Sequence, residues 1–259
     1  MKVFNYGNGL MEAREFYFKE SEKPEINKHK KINKRLNVDS DTGEVSERKQ
    51  PSNKSEVIDI QRGMLNEFRL LLYNINKAIP NGKVYYLTMT NRNLIDYMEF
   101  NSNLDKFVKK LKYANKQISD EDFKYAFFKE ANSNGRYHIH GFIWYFENET
   151  LSLSKDIIYD KWCYGTGKIE IIHTSEDLLK VLMYVTNYSN KNRSNYKVNR
   201  KKKGLKFFPP NTHLVCRTKN LEQVPFVEVD EINIDINKMI SQSIRDQKNL
   251  YYESTFYKK

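Results

Sequence analysis

Two histidines at alternate positions in one apolar segment are the residues of this sequence best suited to chemistry. His138 and His140 lie within Tyr137–Phe146, a run rich in aromatic and β-branched residues that predicts a strand. Because side chains alternate across a strand, both imidazoles are expected on the same face. Two neutral imidazoles held side by side form half of a metal site. The alternative is a chance pair on a solvated face, which the apolar setting disfavours because buried histidines need partners.

Glu130 is the candidate for a third metal ligand. It precedes His138 by eight residues on another predicted strand, and the intervening sequence 132–135 favours a hairpin turn. Across an antiparallel hairpin its carboxylate could face the same side as the imidazoles. Two imidazoles and one carboxylate with open positions suit Mg²⁺ or Mn²⁺ bound to a phosphate oxygen. The alternative for Glu130 is a solvated side chain beside the turn.

Two tyrosines further along the chain could supply a nucleophile. Tyr184 and Tyr188 are four residues apart in a segment, 174–190, whose apolar periodicity predicts a helix. On one helix their hydroxyls would point to the same side. A phenol with a pKa of about 10 needs a nearby cation to attack at neutral pH, and Lys191 could help. The alternative is that both rings only pack on the helix surface. Together with a metal, the pair suggests cutting and rejoining of a phosphodiester backbone.

Composition indicates a polyanionic partner and a reducing compartment. The 259 residues carry a formal net charge of +11, which suits nucleic acid, and 18 Tyr and 15 Phe could stack on unpaired bases. The alternatives are solubility alone for the charge and codon bias for the tyrosines. Cys163 and Cys216 are far apart and form no CxxC pair, which argues against a zinc finger. With no apolar run of 18 residues and no signal-peptide pattern, we expect a cytoplasmic protein without membrane contact.

The elements that must position these residues alternate between helices and strands. Helices are predicted over 56–78, 101–117, 153–162, 174–190 and 234–247, and strands over 83–90, 123–131, 137–146, 167–172, 214–216 and 226–229. This order predicts an α+β fold in which helices flank a central antiparallel sheet.

Three segments are predicted along the chain. Residues 1–55 form a weakly ordered or accessory segment, because much of it is polar and charged, although its first aromatic residues could instead add a strand or pack on the core. Residues 56–205 hold the domain with the candidate site. Residues 206–259 form a C-terminal extension that packs on this domain or follows it.

The motifs together resemble those of HUH endonucleases. His138–His140 has the form of the His-hydrophobic-His motif, and Tyr184–Lys191 looks like the Tyr-x-x-x-Tyr-x-x-Lys helix of rolling-circle replication initiators. Leu87–Thr90 is similar to the first motif of that family, a hydrophobic strand with threonines. Trp162 and Gly165 repeat a pattern of the phage members. The closest resemblance is to the two-tyrosine initiators of small single-stranded DNA phages and certain plasmids.

The resemblance implies a ferredoxin-like or RNA-recognition-motif-like sheet with the histidines on a central strand. It implies metal-dependent, site-specific nicking of single-stranded DNA at a replication origin, with a 5′-phosphotyrosine link and a free 3′-OH. Tyr188, which alone begins a Tyr-x-x-Lys pattern, is expected to act in a single turnover, and the second tyrosine allows strand transfer and closure. Glu130 has an offset from His138 similar to the ligand glutamate of eukaryotic-virus relatives. Many phage relatives carry lysine where this chain has Asn187, whereas Lys191 matches.

A basic run after the tyrosines could guide the DNA backbone into the site, although a solvated loop explains it equally well. Its cations are Arg193, Lys197, Arg200, Lys201, Lys202 and Lys203. No P-loop is present, so unwinding is expected from a host helicase, and a host polymerase would extend the 3′-OH in the bacterial cytoplasm.

Two other classes of protein compete with an initiator. A conjugative relaxase or a single-strand transposase uses the same chemistry, but relaxases usually place the tyrosine before the histidines, and such transposases are shorter and mostly have one tyrosine. A non-catalytic nucleic-acid-binding protein would bind without metal-dependent cleavage and would tolerate His138→Ala.

Overall fold

The computed structural model describes most of the chain, with gaps. The described ranges are 1–18, 30–31, 36–38, 45–47, 67–118, 123–146, 153–186, 204, 206–209, 212–229, 239–247 and 250–258.

Four helices and thirteen strands make up these ranges. The helices are α1, whose described part covers 67–76, α2 (Tyr97–Ile118), α3 (Lys155–Lys161) and α4 (Ser175–Val185). The strands are β1 (Lys2–Asn5), β2 (Leu10–Phe18), β3 (Lys30–Lys31), β4 (Leu36–Val38), β5 (Val45–Glu47), β6 (Gly82–Asn91), β7 (Lys124–Ala131), β8 (Tyr137–Phe146), β9 (Gly165–Ile171), β10 (Val215–Arg217), β11 (Phe226–Glu228), β12 (Met239–Gln247) and β13 (Leu250–Lys258).

The strands form three antiparallel sheets. A central sheet has the order β10-β7-β8-β6-β9, a terminal sheet has the order β11-β1-β2-β13-β12, and β3-β4-β5 form a small third sheet. In the central sheet, β8 and β6 are flanked on both sides, so the segment with the histidines is an interior strand. The predicted α+β class, with an antiparallel sheet flanked by helices, is confirmed.

Helices cover both faces of the central sheet. On one face, Val84, Tyr86, Phe142 and Trp144 pack in a core with α1 and α4. On the opposite face, residues at the alternate positions, such as Leu87 and Ile143, pack in a second core with α2 and α3. The two cores follow from the continuous apolar runs of β6 and β8, which are buried on both faces.

Helix α2 shows why the sequence folds in this way locally. Its buried residues recur at helical spacing and form one apolar stripe, made up of Phe100, Leu104, Phe107, Val108, Leu111 and Ala114. The side chain of Asp96 accepts a hydrogen bond of 2.8 Å from the Glu99 backbone N–H and so satisfies a donor at the start of the helix. None of the described helices has the length and apolar character needed to span a membrane.

The terminal sheet joins the two ends of the chain. Strand β2 pairs with β1 on one side and with β13 on the other. The first eighteen residues therefore add strands, which was one of the two possibilities for this segment. The boundaries near residues 55 and 205 stay predictions.

The helix predicted over 234–247 is wrong for its second half. Residues Met239–Gln247 form β12, which pairs along its length with β13. The aromatic and β-branched sequence of β13 (LYYESTFYK) provides an adjacent strand, and this tertiary pairing overrides the mixed local preference of β12.

Candidate metal centre

The β7–β8 hairpin sets the register of the candidate ligands. Glu130 on β7 is directly opposite His138 on β8, so both side chains point to the same face. The turn between the strands is fixed by the side-chain oxygen of Asn132, which accepts hydrogen bonds from the backbone N–H groups of Asn134 and Arg136. Gly135 has a φ of +82° in this turn, a conformation that glycine adopts without a steric penalty.

Strand β6 completes the site on the other side of β8. Thr88 is opposite His140 and Thr90 is opposite His138, so these threonines share the face of the two histidines. This face is covered by α1 and α4 at the Val84 end and is more open at the His138 end, where Thr88 and Thr90 are only partly buried. The histidines therefore lie at the border between the packed core and a surface open to solvent.

Three side chains converge at this border. Glu130 Oε2 lies 3.7 Å from His138 Nε2 and 3.9 Å from His140 Nε2. One ligand atom from each residue lies within 4.8 Å of the others, an arrangement that could hold a metal ion. The Glu130 and His138 side chains are each 17% exposed, so water or a substrate oxygen can reach the cluster.

The donor set fits a divalent cation. Bonds to Mg²⁺ are about 2.0–2.1 Å long, so two of its ligand atoms lie at most about 4.2 Å apart. The two distances from Glu130 Oε2 to the imidazole nitrogens are within that limit. Two imidazoles and one carboxylate leave coordination positions for water and phosphate. The structure thus brings together the three predicted ligands, and it does not select among divalent metals.

His140 has two hydroxyl groups beside its second ring nitrogen. Its Nδ1 lies 2.8 Å from the Tyr86 hydroxyl and 3.0 Å from the Thr88 hydroxyl. Burial raises the pKa of the Tyr86 phenol to about 12. The Leu87–Thr90 motif indicates Thr88 as a residue of the site, but sequence reasoning missed Tyr86. The alternation of β6, which puts Tyr86 and Thr88 on one face, is the signal that could have found it.

Helix α4 carries Tyr184 to the same place. Thr174 caps this helix, and its hydroxyl oxygen accepts a hydrogen bond of 3.1 Å from the Asp177 backbone N–H. Leu178 and Leu182 on its apolar face are buried in the core, which leaves Tyr184 43% exposed on the other side. The Tyr184 ring meets the imidazole of His140 edge-on, with 5.8 Å between the ring centroids.

The predicted end of this helix near residue 190 is wrong. Helix α4 ends at Val185 with Thr186 at its C-cap, where the Thr186 hydroxyl donates a hydrogen bond of 2.7 Å to the Leu182 carbonyl. The expected placement of both tyrosines on one helix face is therefore not what the described helix shows. Tyr188 and Lys191 lie outside the described residues, as does the basic run of Arg193, Lys197, Arg200, Lys201, Lys202 and Lys203.

The fold and the site define an α+β protein with a candidate metal centre on an interior strand of its central sheet. Residues 84–193 match the family model of the replication-associated protein ORF2. The matched segment contains Glu130, both histidines and Tyr184. Comparison with curated proteins and with solved structures gave no match. The family match supports a replication initiator.

Proposed function

We propose that this protein initiates rolling-circle replication by metal-dependent nicking and rejoining of single-stranded DNA at an origin. The observation that carries the proposal is the contact between Tyr184 and His140, which sets an exposed phenol beside a cluster able to hold a metal. The family match over 84–193, which spans both parts, supports the same function. The origin strand is the proposed substrate, and a host helicase and polymerase are the proposed partners.

In the proposed reaction, a tyrosine hydroxyl attacks the phosphorus of one phosphodiester. The new Oη–P bond forms as the P–O3′ bond breaks, and the phenolic proton ends on the 3′ oxygen. The products are a 5′-phosphotyrosine and a free 3′-OH. Attack by a 3′-OH on this link reverses the step and rejoins the strand. Because one ester replaces another, the bond energy needed for rejoining is retained in the covalent intermediate.

Glu130, His138 and His140 would hold Mg²⁺ or Mn²⁺ in this reaction. When bound, the metal would draw charge from a phosphate oxygen and fix the phosphate in place. The exposed Tyr184 ring is held against the cluster by the buried face of α4, so the phenol needs little rearrangement to face a bound phosphate. Tyr188 is proposed as the second nucleophile and, from its Tyr-x-x-Lys pattern, as the one that acts in a single turnover. Lys191 is proposed to stabilise the developing charge.

The test is adduct formation with labelled single-stranded DNA from the cognate replicon, with and without Mn²⁺, resolved on a denaturing gel. We expect a covalent protein–DNA band that needs Mn²⁺ and that disappears in the Tyr184→Phe/Tyr188→Phe double variant. Tyr113→Phe is a matched control, because Tyr113 is 65% exposed on α2, on the far face of the central sheet. Its adduct should equal that of the wild type.

The same gel separates the competing classes. An undiminished adduct in the double tyrosine variant overturns the assignment of the nucleophiles. DNA binding without any adduct, unaffected by His138→Ala, indicates a non-catalytic binding protein. Cleavage confined to the transfer origin of a conjugative element, or to the ends of a transposon, indicates a relaxase or a transposase.

A further inference from the structure

Two hydroxyl groups on β6 contact the ring nitrogen of His140 that faces away from Glu130. Tyr86 and Thr88 are at alternate positions of this strand and both lie within 3.0 Å of Nδ1, while Nε2 is 3.9 Å from the Glu130 carboxylate. We propose that Tyr86 and Thr88 are positioning residues that hold His140 with its proton on Nδ1 and its Nε2 lone pair directed at the metal. This inference rests on the metal centre of the proposed function.

The chemistry of the groups supports this role. A neutral imidazole carries one proton, and the nitrogen without it is the one that can bind a metal. A hydroxyl oxygen accepts a hydrogen bond from Nδ1–H, and such an acceptor fixes both the tautomer and the orientation of the ring. With two hydroxyls at this nitrogen, one can accept while the other still has a proton to donate elsewhere. Neither adds a negative charge to the site.

The packing around Tyr86 makes its hydroxyl a fixed acceptor. Its ring contacts Phe142 with a centroid distance of 5.4 Å, and its plane lies within 4° of the imidazole plane of His140. Strand β6 is itself paired on both sides, with β8 and β9. A side chain held by packing on a rigid strand can keep a ligand in one orientation.

Tyr86 differs in this respect from Tyr184, the other tyrosine that contacts His140. Tyr86 is 9% exposed, so DNA phosphate cannot reach its hydroxyl, whereas Tyr184 is open to solvent. Burial keeps the Tyr86 phenol protonated because its pKa is about 12. One tyrosine therefore supports the ligand from within the core, and the other faces the substrate.

The test is a titration of the full-length chain with Mn²⁺, in which the EPR signal of free Mn²⁺ gives the dissociation constant. We expect about a 10- to 100-fold weaker affinity for the Tyr86→Phe/Thr88→Val double variant and a smaller loss for each single variant. Thr88→Ser, which keeps the hydroxyl, should bind as the wild type does. The matched control is Tyr85→Phe, because Tyr85 is also buried in β6 but faces the opposite core, and its affinity should not change.

A second readout reports the tautomer itself. In ¹⁵N-histidine spectra recorded with Mg²⁺, wild-type His140 should carry its proton on Nδ1, and the double variant should show a mixture of tautomers. Melting in EDTA shows whether each variant folds, and if the double variant does not fold, the comparison of Thr88→Val with Thr88→Ser decides.

The outcomes separate the two proposals. If the wild type binds Mn²⁺ and the Thr88 and Tyr86 variants bind it equally well with an unchanged His140 tautomer, the positioning role is overturned and the metal centre stands. If the wild type binds no Mn²⁺, the metal centre and the positioning role both fail.

Discussion

Two glutamates in this molecule each face two basic side chains, and their surroundings differ. Glu12, on β2 of the terminal sheet, is fully buried, and its carboxylate lies 3.0 Å from Arg14 Nη2 and 2.8 Å from Arg69 Nη2. Glu130, on β7 of the central sheet, is partly exposed, and its carboxylate lies 3.7 and 3.9 Å from the nitrogens of His138 and His140.

The difference shows which cluster is structural and which has room for a ligand. At 2.8–3.0 Å the Glu12 contacts are charge-assisted hydrogen bonds, and Arg69 Nε and the Tyr6 hydroxyl also donate to this carboxylate. Around Glu130 the separations exceed hydrogen-bond length but match two ligands of one cation. Guanidinium groups also cannot bind a metal, whereas neutral imidazoles can. The Glu12 cluster therefore stabilises the fold, and the Glu130 cluster is suited to chemistry.

The largest expected effect concerns the histidines of the open cluster. We expect the His138→Ala/His140→Ala double variant to lose adduct formation by about 10⁴-fold, equivalent to about 5.5 kcal/mol of barrier, because a metal supplies several kcal/mol of charge stabilisation. Initial rates from the denaturing gel measure this loss. His173→Ala is the control, because His173 is exposed just before α4 and should leave the rate unchanged. A double variant that keeps a tenth of the wild-type rate contradicts the metal-centre assignment.

The next effect concerns the closed cluster. Glu12→Ala leaves the buried Arg14 guanidinium without its carboxylate, so we expect a loss of about 3–5 kcal/mol in the free energy of unfolding. Urea denaturation followed by circular dichroism measures it. The fraction that stays folded should bind Mn²⁺ with wild-type affinity, because no residue of the metal centre has changed. A loss below about 1 kcal/mol would place this cluster with ordinary surface ion pairs.

The sequence predicts the open cluster well because local rules determine it. The alternation of β8 puts His138 and His140 on one face, and the turn at 132–135 determines that Glu130 is opposite His138. The closed cluster joins β2 to α1 across fifty-seven residues, and no local pattern pairs Glu12 with Arg69. The contact of Tyr86 with His140 also depends on the pairing of distant strands.

Helix ends and strand choice show the same limit. The apolar periodicity of α4 identifies its buried face, but the helix ends at Val185, where the Thr186 hydroxyl bonds back to a carbonyl, and periodicity does not report such a local bond. The sequence of β12 predicts part of a helix because its own residues have a mixed preference. Its pairing with β13 decides its conformation, and that pairing becomes evident only when the partner strand is placed.

A smaller effect is expected when the carboxylate of the open cluster loses its charge. Glu130→Gln should weaken Mn²⁺ binding by about 10- to 100-fold, a loss of the size seen when groups around a metal are altered. At a Mn²⁺ concentration of about 100 times the wild-type Kd, the metal should stabilise the wild type by about 2.7 kcal/mol and the variant by about 0.4–1.4 kcal/mol.

Urea denaturation with and without Mn²⁺ checks this prediction for Glu130. Glu228→Gln is the control, because Glu228 forms an exposed ion pair with Lys2 far from the cluster in sequence and in a different sheet. Equal stabilisation of the wild type and Glu130→Gln by the metal would remove Glu130 from the ligand set and leave the two histidines as the candidate ligands.

The smallest effect tests whether a short distance alone makes an ion pair structural. Lys168 and Glu170 on the edge strand β9 are 2.7 Å apart, as close as the partners of Glu12, but their side chains are 73% and 49% exposed. Water competes for exposed charges, so we expect a double-mutant cycle of Lys168→Met and Glu170→Gln to give a coupling of about 0.2–1 kcal/mol. This coupling should vanish at 1 M salt, whereas the Glu12 cluster should keep most of its contribution because buried pairs are screened much less. A salt-independent coupling above about 2 kcal/mol would show that distance rather than burial separates the structural cluster from the others.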